Sequence, residues 1–190
     1  MDTLEGSGER RMGKSPTGGS QEELPATTDT CMQLAGSLVA RLAELGKVVS
    51  TAESCTGGLV AAAITSVPGS SDAFHSGVVT YSNESKQRLL GVEAETLARH
   101  GAVSEAVVRE MANGVCASSD ADVGIAVSGV AGPDGGSPEK PVGTVWLAWA
   151  LPHGATTTAC HLFSGNREAV RTQAVVEALR GTVSALVNQP

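Results

Sequence analysis

Lys47-Val48-Val49-Ser50-Thr51-Ala52-Glu53-Ser54-Cys55-Thr56-Gly57-Gly58-Leu59-Val60-Ala61-Ala62-Ala63-Ile64 is the stretch whose reading decides the fold. Val48 to Ala52 is short, apolar and β-branched, as expected of a buried strand, and Gly57 to Ser66 continues as an Ala-rich helix ending before Pro68. Between them, two hydroxyls and a thiol stand just ahead of two glycines. A strand that turns sharply into a helix presents small polar side chains and free backbone N–H groups at a sheet edge, where a reacting group or an anion is held.

Upstream of this junction, Leu34, Leu38, Leu42 and Leu45 recur at helical spacing from Asp29 onward, and Gly46 stops the run. Downstream, Gly77 to Tyr81 reads as a second strand, and Ser82-Asn83-Glu84 caps a helix carrying Lys86, Leu89 and Leu90. Ser104-Glu105 opens a helix to about Ala117, and Val123 to Val127 is the next buried strand. Ser128 to Gly136 is expected as a loop. Gly143–Ala150 and Thr156–Phe163 form a hairpin around Pro152-His153-Gly154, and the last helix carries Val170, Ala174, Val175, Ala178, Leu179, Val183 and Leu186 on one stripe. Helices alternate with apolar strands and a hairpin comes late, so the pattern predicts an α/β domain: a mixed sheet covered by helices on both faces. Ligands in such sheets lie beyond the carboxyl ends of the strands, which here are TAESCTGG, VVTYSNESK and VSGVAGPDGG.

The chain of 190 residues is long enough for one domain with a substantial core. Residues 1–28, rich in Gly, Ser, Pro, Glu and Thr without hydrophobic period, are expected to be a disordered tail, leaving 29–190 as the domain. A net charge of −7 and an aromatic share of 3% argue against a nucleic-acid surface, while leaving room for a local phosphate pocket. Cys31, Cys55, Cys116 and Cys160 form no CxxC pair, and no histidines fall at metal-ligand spacing. No apolar run approaches the roughly 20 residues of a membrane span and no signal-peptide core is present, so a cytoplasmic location with reduced thiols is expected.

Ser54, at a strand end with the amides of Thr56, Gly57 and Gly58 as candidate oxyanion donors, is a candidate nucleophile. A plain helix cap is the commoner role for a serine in that place. The base is either a histidine recruited from His75, His100, His153 or His161, or a buried and therefore deprotonated Lys86. Otherwise Lys86 is a solvated surface lysine. Tyr81, the one tyrosine, either assists Ser54 or is a half-buried strand residue. Cys55 is a rival nucleophile, but neighbours on a strand point to opposite sides, so it is expected in the core if Ser54 faces the cleft. The glycine-rich run with Gly129 and Gly132 reads as a nest for a phosphate or ribose, or as a turn-rich surface loop. Arg167 is placed either for a phosphate or for a surface ion pair.

With these segments in order, the chain closely resembles the CinA C-terminal domain family, whose stand-alone members are nicotinamide-nucleotide amidases. The blocks that carry the resemblance are TAESCTGG, GVVTYSNESK, HGAVSE, VSGVAGPDGG, EKPVGTVW and FSGNRE, from about residue 30 onward. The first 28 residues cannot form the separate N-terminal domain of longer members. The resemblance implies a three-layer α/β/α sandwich and hydrolysis of the carboxamide of nicotinamide mononucleotide to nicotinate mononucleotide and ammonia. It implies no metal or organic cofactor, and a homodimer. Ser54 is similar to the family's nucleophile, Lys86 to its base and Tyr81 to an assisting hydroxyl; Ser128 and Arg167 match substrate-contacting positions. Rival functions are a nucleotide-binding regulatory module without catalysis and an amidase for another small amide.

Overall fold

The computed structural model describes residues 26–152, 154 and 156–187. Positions 1–25 of the expected tail and His153 lie outside the described residues. Helix α1 (Thr28–Leu45) begins where the Thr27 hydroxyl accepts the Thr30 N–H at 3.2 Å, buries Ala35, Leu38, Val39 and Leu42 on one stripe, and ends at Gly46. Strand β1 (Val49–Glu53) is buried along its whole length, and helix α2 (Leu59–Thr65) follows the turn. Then come β2 (Phe74–Val79), α3 (Asn83–Leu90), α4 (Ala94–His100), α5 (Glu105–Ser119), β3 (Val123–Gly129), β4 (Thr144–Ala150), β5 (Thr157–Leu162) and α6 (Arg167–Val187).

Two strand boundaries and one additional helix stand out against the sequence reading. The second strand occupies Phe74–Val79 rather than Gly77–Tyr81, because the chain leaves the sheet after Thr80, whose N–H makes the last bond to the Glu53 carbonyl at 2.8 Å. Ser128 and Gly129 are not loop but the last two residues of β3, paired with Trp146 and Val145 of β4. Helix α4 was not expected: its seven residues bury only Leu97, too little for a periodic signal.

The sheet order is β2-β1-β3-β4-β5, with β2, β1 and β3 parallel and β4 and β5 antiparallel, which makes it mixed as expected. On one face, α1, α2 and α6 bury Leu38, Val60, Ile64 and Leu179 against Val49, Ile125 and Leu147. On the other, α3, α4 and α5 bury Leu90, Leu97, Val108 and Met111 against Ala52, Ala126 and Ala148. Each fully buried Leu, Ile or Met contributes roughly 1.5–3 kcal/mol of transfer free energy, so both helix layers are held chiefly by apolar burial. Because β1 lies between β2 and β3 in register, with Glu53 opposite Val79 and Val127, the three parallel strands end side by side. That alignment brings the polar segments after them together.

Candidate active site

Alternation along β1 sorts the junction's side chains. Val49 and Cys55 belong to the core under α1, α2 and α6, and Ala52 to the core under α3 and α5. Ser54 shares the second face and is half-buried, within reach of the residue that α3 contributes. That helix starts with a reciprocal cap in which the Ser82 hydroxyl accepts the Ser85 N–H and the Ser85 hydroxyl accepts the Ser82 N–H. Lys86 lies one residue further along, on the buried side.

Lys86 is 1% exposed and is therefore not a solvated surface lysine. Its Nζ donates to the Thr80 carbonyl at 2.7 Å and to Ser54 Oγ at 3.2 Å. Burial holds its ammonium below the ordinary lysine range, because leaving water penalises the charged form; a smaller effect from Cys55 opposes this. Cys55 is 5% exposed and burial pushes its thiol up to about 11, so it packs as a small hydrophobe. No described histidine makes a hydrogen bond to Ser54: His75 lies against the Ser119 carbonyl at 3.2 Å, and His161 stacks on Phe163.

Gly57 and Gly58 make the turn into α2, as expected, with Gly58 as its N-cap. The Gly57 N–H donates to the Ser54 carbonyl at 3.1 Å, and the Gly58 N–H to Glu53 Oε2 at 3.0 Å. These two amides are therefore engaged inside the turn and are not free oxyanion donors; both glycines are needed for φ of 62° and 97°. Thr56 is fully buried, with its carbonyl on Arg171 at 2.8 Å and no hydrogen-bond partner for its hydroxyl among the described residues. Ser128 is also buried, and its hydroxyl donates to the Ala102 carbonyl at 2.8 Å, tying β3 to the segment before α5. Gly129 lies in the sheet, and Gly132 is buried at φ 81° against Val142, so packing and backbone conformation explain them without a ligand.

Tyr81 is 62% exposed and makes no hydrogen bond to Ser54 or Lys86. Its phenol oxygen accepts from Arg167 at 3.0 Å, and Arg167 also donates to the Gly132 carbonyl at 2.7 Å. Both partners are neutral, and no ion pair to the exposed guanidinium is formed among the described residues, although Glu168 lines the same groove at the first turn of α6. Arg167, Arg171, Asn166, Thr28 and Thr172 line a groove of about 650 Å³, whose walls include neither Ser54 nor Lys86. The residue that sequence reasoning undervalued is Glu53, 1% exposed, whose carboxylate accepts the amides of Gly58, Val60 and Ala61. A carboxylate five residues ahead of a glycine-capped helix was its only sequence signal.

The profile of the CinA C-terminal domain family matches residues 32–186, nearly all of the described chain. The chain belongs to the CinA C-terminal domain family. It is 54% identical over 154 residues to the nicotinamide-nucleotide amidohydrolase PncC of Escherichia coli K12, covering 81% of this chain and 93% of that protein. It is 50% identical to a CinA-like protein of Akkermansia muciniphila, but covers 37% of that longer chain. Among solved structures, a CinA superfamily protein of Klebsiella pneumoniae superposes with a TM-score of 0.80 at 43% identity, covering 84% of this chain and 99% of that one. Another, a competence/damage-inducible protein of Agrobacterium tumefaciens, does so with a TM-score of 0.80 at 42% identity, covering 84% and 96%. No described helix is long and apolar enough to cross a membrane, and no described cluster of His, Cys, Asp and Glu has the make-up of a metal site.

Proposed function

We propose that this chain hydrolyses the carboxamide of nicotinamide mononucleotide, giving nicotinate mononucleotide and ammonia in pyridine-nucleotide recycling, with Ser54 as nucleophile and Lys86 as base. The observation that carries the reading is the buried Lys86 Nζ 3.2 Å from Ser54 Oγ. A lysine desolvated in this way is held toward the neutral form. With one N–H on the Thr80 carbonyl, its lone pair is then available to the Ser54 hydroxyl.

In the first half-reaction the Ser54 proton passes to Lys86 as Oγ attacks the carboxamide carbon, forming a tetrahedral adduct. Lys86 returns that proton to the departing nitrogen. The C–N bond breaks and ammonia leaves an ester on Ser54. In the second half-reaction Lys86 takes a proton from water, hydroxide adds to the ester carbon, and the proton goes back to Ser54 as the C–O bond breaks and nicotinate mononucleotide departs. The amidohydrolase name of the 54%-identical Escherichia coli relative supports the substrate class.

Arg167 supplies the charge for the substrate phosphate, and its neutral hydrogen-bond partners support that assignment. Tyr81, held on Arg167 and free to donate its own hydroxyl hydrogen, belongs to the same rim. A homodimeric, cytoplasmic enzyme completes the reading, with light scattering as the check on the dimer. The test of function is ammonia release by the purified protein from nicotinamide mononucleotide, nicotinamide, nicotinamide riboside and NAD. Rapid release from the mononucleotide alone is expected; release from none of the four, or equally from all, refutes the assignment.

A further inference from the structure

We propose that Glu53 is a positioning residue for Ser54, holding the nucleophile in place by clamping the start of α2 to the end of β1; this rests on the reading of Ser54 as nucleophile. A carboxylate is costly to bury unless hydrogen bonds replace its water. At 1% exposure Glu53 has no cationic partner among the described residues, and its two oxygens are instead occupied by backbone. Oε2 accepts the N–H groups of Gly58 and Val60 at 3.0 and 3.1 Å, and Oε1 accepts that of Ala61 at 2.9 Å, with the Thr51 hydroxyl at 3.4 Å.

These amides belong to the helix start that an ordinary cap would satisfy only in part. The N-cap itself is Gly58, which has no side chain to offer, so Glu53 takes over the role from across the turn. The ring it closes contains Ser54, Cys55, Thr56 and Gly57. Strand alternation sends the Glu53 side chain toward α2 and the Ser54 side chain toward α3, so the pull on one sets the rotation of the other.

The rest of the turn is already fixed: the Ser54 N–H donates to the Val127 carbonyl at 2.9 Å, and Arg171 donates to the Thr56 carbonyl at 2.8 Å. The Leu59 N–H also reaches the Thr56 carbonyl, at 3.3 Å, but Glu53 alone among the described side chains binds several amides of the helix start. Without it, the helix start is held to the turn only by the Leu59–Thr56 backbone bond and core packing, and the 3.2 Å approach of Lys86 to Ser54 relaxes. A misplacement of about 1 Å at a reacting atom costs on the order of 10²-fold in rate. Since Glu53 is buried away from any ligand, the loss falls on kcat and not on KM.

The test compares Glu53→Gln and Glu53→Asp with wild type on nicotinamide mononucleotide, with Ser54→Ala and Trp149→Phe as references. Trp149→Phe removes the indole bond to the Ala178 carbonyl at 2.9 Å, a stability lesion away from the turn. Glutamine keeps the shape but turns an NH2 toward backbone donors; its kcat is expected to fall about 100-fold with KM within about threefold of wild type. Aspartate keeps the charge with a shorter reach and should fall between, and Trp149→Phe should lower Tm without lowering kcat. A kcat for Glu53→Gln within about threefold of wild type overturns the proposal, as does a loss that vanishes when the assay is cooled by the drop in Tm. So does failure of both Glu53 variants to fold by circular dichroism. An active Ser54→Ala would instead refute the nucleophile itself, whereas an inactive Ser54→Ala beside a fully active Glu53→Gln removes only the role of Glu53.

Discussion

Lys86 Nζ lies 3.2 Å from Ser54 Oγ, across the gap between α3 and the end of β1. The lysine reaches there because the Ser82–Ser85 cap fixes the first turn of α3 and β2 runs parallel to β1. Thirty-two residues of chain are thus closed onto one proton-transfer distance.

Ser54→Ala and Cys55→Ala separate two adjacent candidates. Removing a nucleophile costs several orders of magnitude in kcat, so Ser54→Ala is expected to lose at least about 10³-fold. Cys55→Ala should keep most of its rate and lose about 1–2 kcal/mol of stability from the vacated core volume. Ammonia release and urea unfolding measure the two effects. A dead Cys55→Ala beside an active Ser54→Ala reverses the roles.

The pH dependence follows from the depressed Lys86 ammonium. Activity should rise as Lys86 loses its proton and level off above its lowered value, short of the ordinary lysine pKa of about 10.4. Lys86→Arg, which keeps the charge but holds its proton, should be nearly inactive, and so should Lys86→Met. In stability the same shift has a fixed sign: the folded state disfavours the protonated amine, so the unfolded chain binds more protons between the two pKa values. The contribution is complete above the unfolded value of about 10.4 and is lost as pH falls through the lowered folded value. Unfolding free energy measured across that window should rise with pH in wild type, and this rise should be missing in Lys86→Met.

Arg167→Ala should raise KM for nicotinamide mononucleotide by about 10- to 100-fold, the worth of one charge-assisted phosphate contact. Any residual turnover of the riboside, which has no phosphate, should not change. Equal losses on both compounds would move Arg167 from phosphate binding to holding Tyr81 and Gly132 in place.

Thiol labelling of the native protein near pH 8 should modify Cys160 first, since it is exposed while Cys31 and Cys55 are buried. With its thiol pushed up to about 11, Cys55 is about one part in a thousand thiolate at that pH. Peptide mapping after iodoacetamide gives the order, and early loss of Cys55 would contradict its place in the core.

Much of this protein was legible in local sequence. The leucine spacing of α1, the caps at Ser82 and Ser104, the buried strand ahead of TAESCTGG and the opposite facing of Ser54 and Cys55 are properties of a few neighbouring residues, written in periods of 3.6 and 2. On those grounds Ser54 and Lys86 are candidates among several; only the family resemblance pairs them, and nothing in the sequence specifies their separation. Tertiary structure decided where each polar group found its partner. Tyr81 meets Arg167 from 86 positions away, Ser128 meets the Ala102 carbonyl, and Glu53 captures the Gly58 amide, one of the three read as candidate oxyanion donors. Helix α4, with one buried leucine, exists because α5 offers it a surface. The reason is physical: apolar periodicity is repeated along an element and so can be read from it. A hydrogen bond is a single short-range contact, and its acceptor is chosen only when packing has brought distant parts of the chain together.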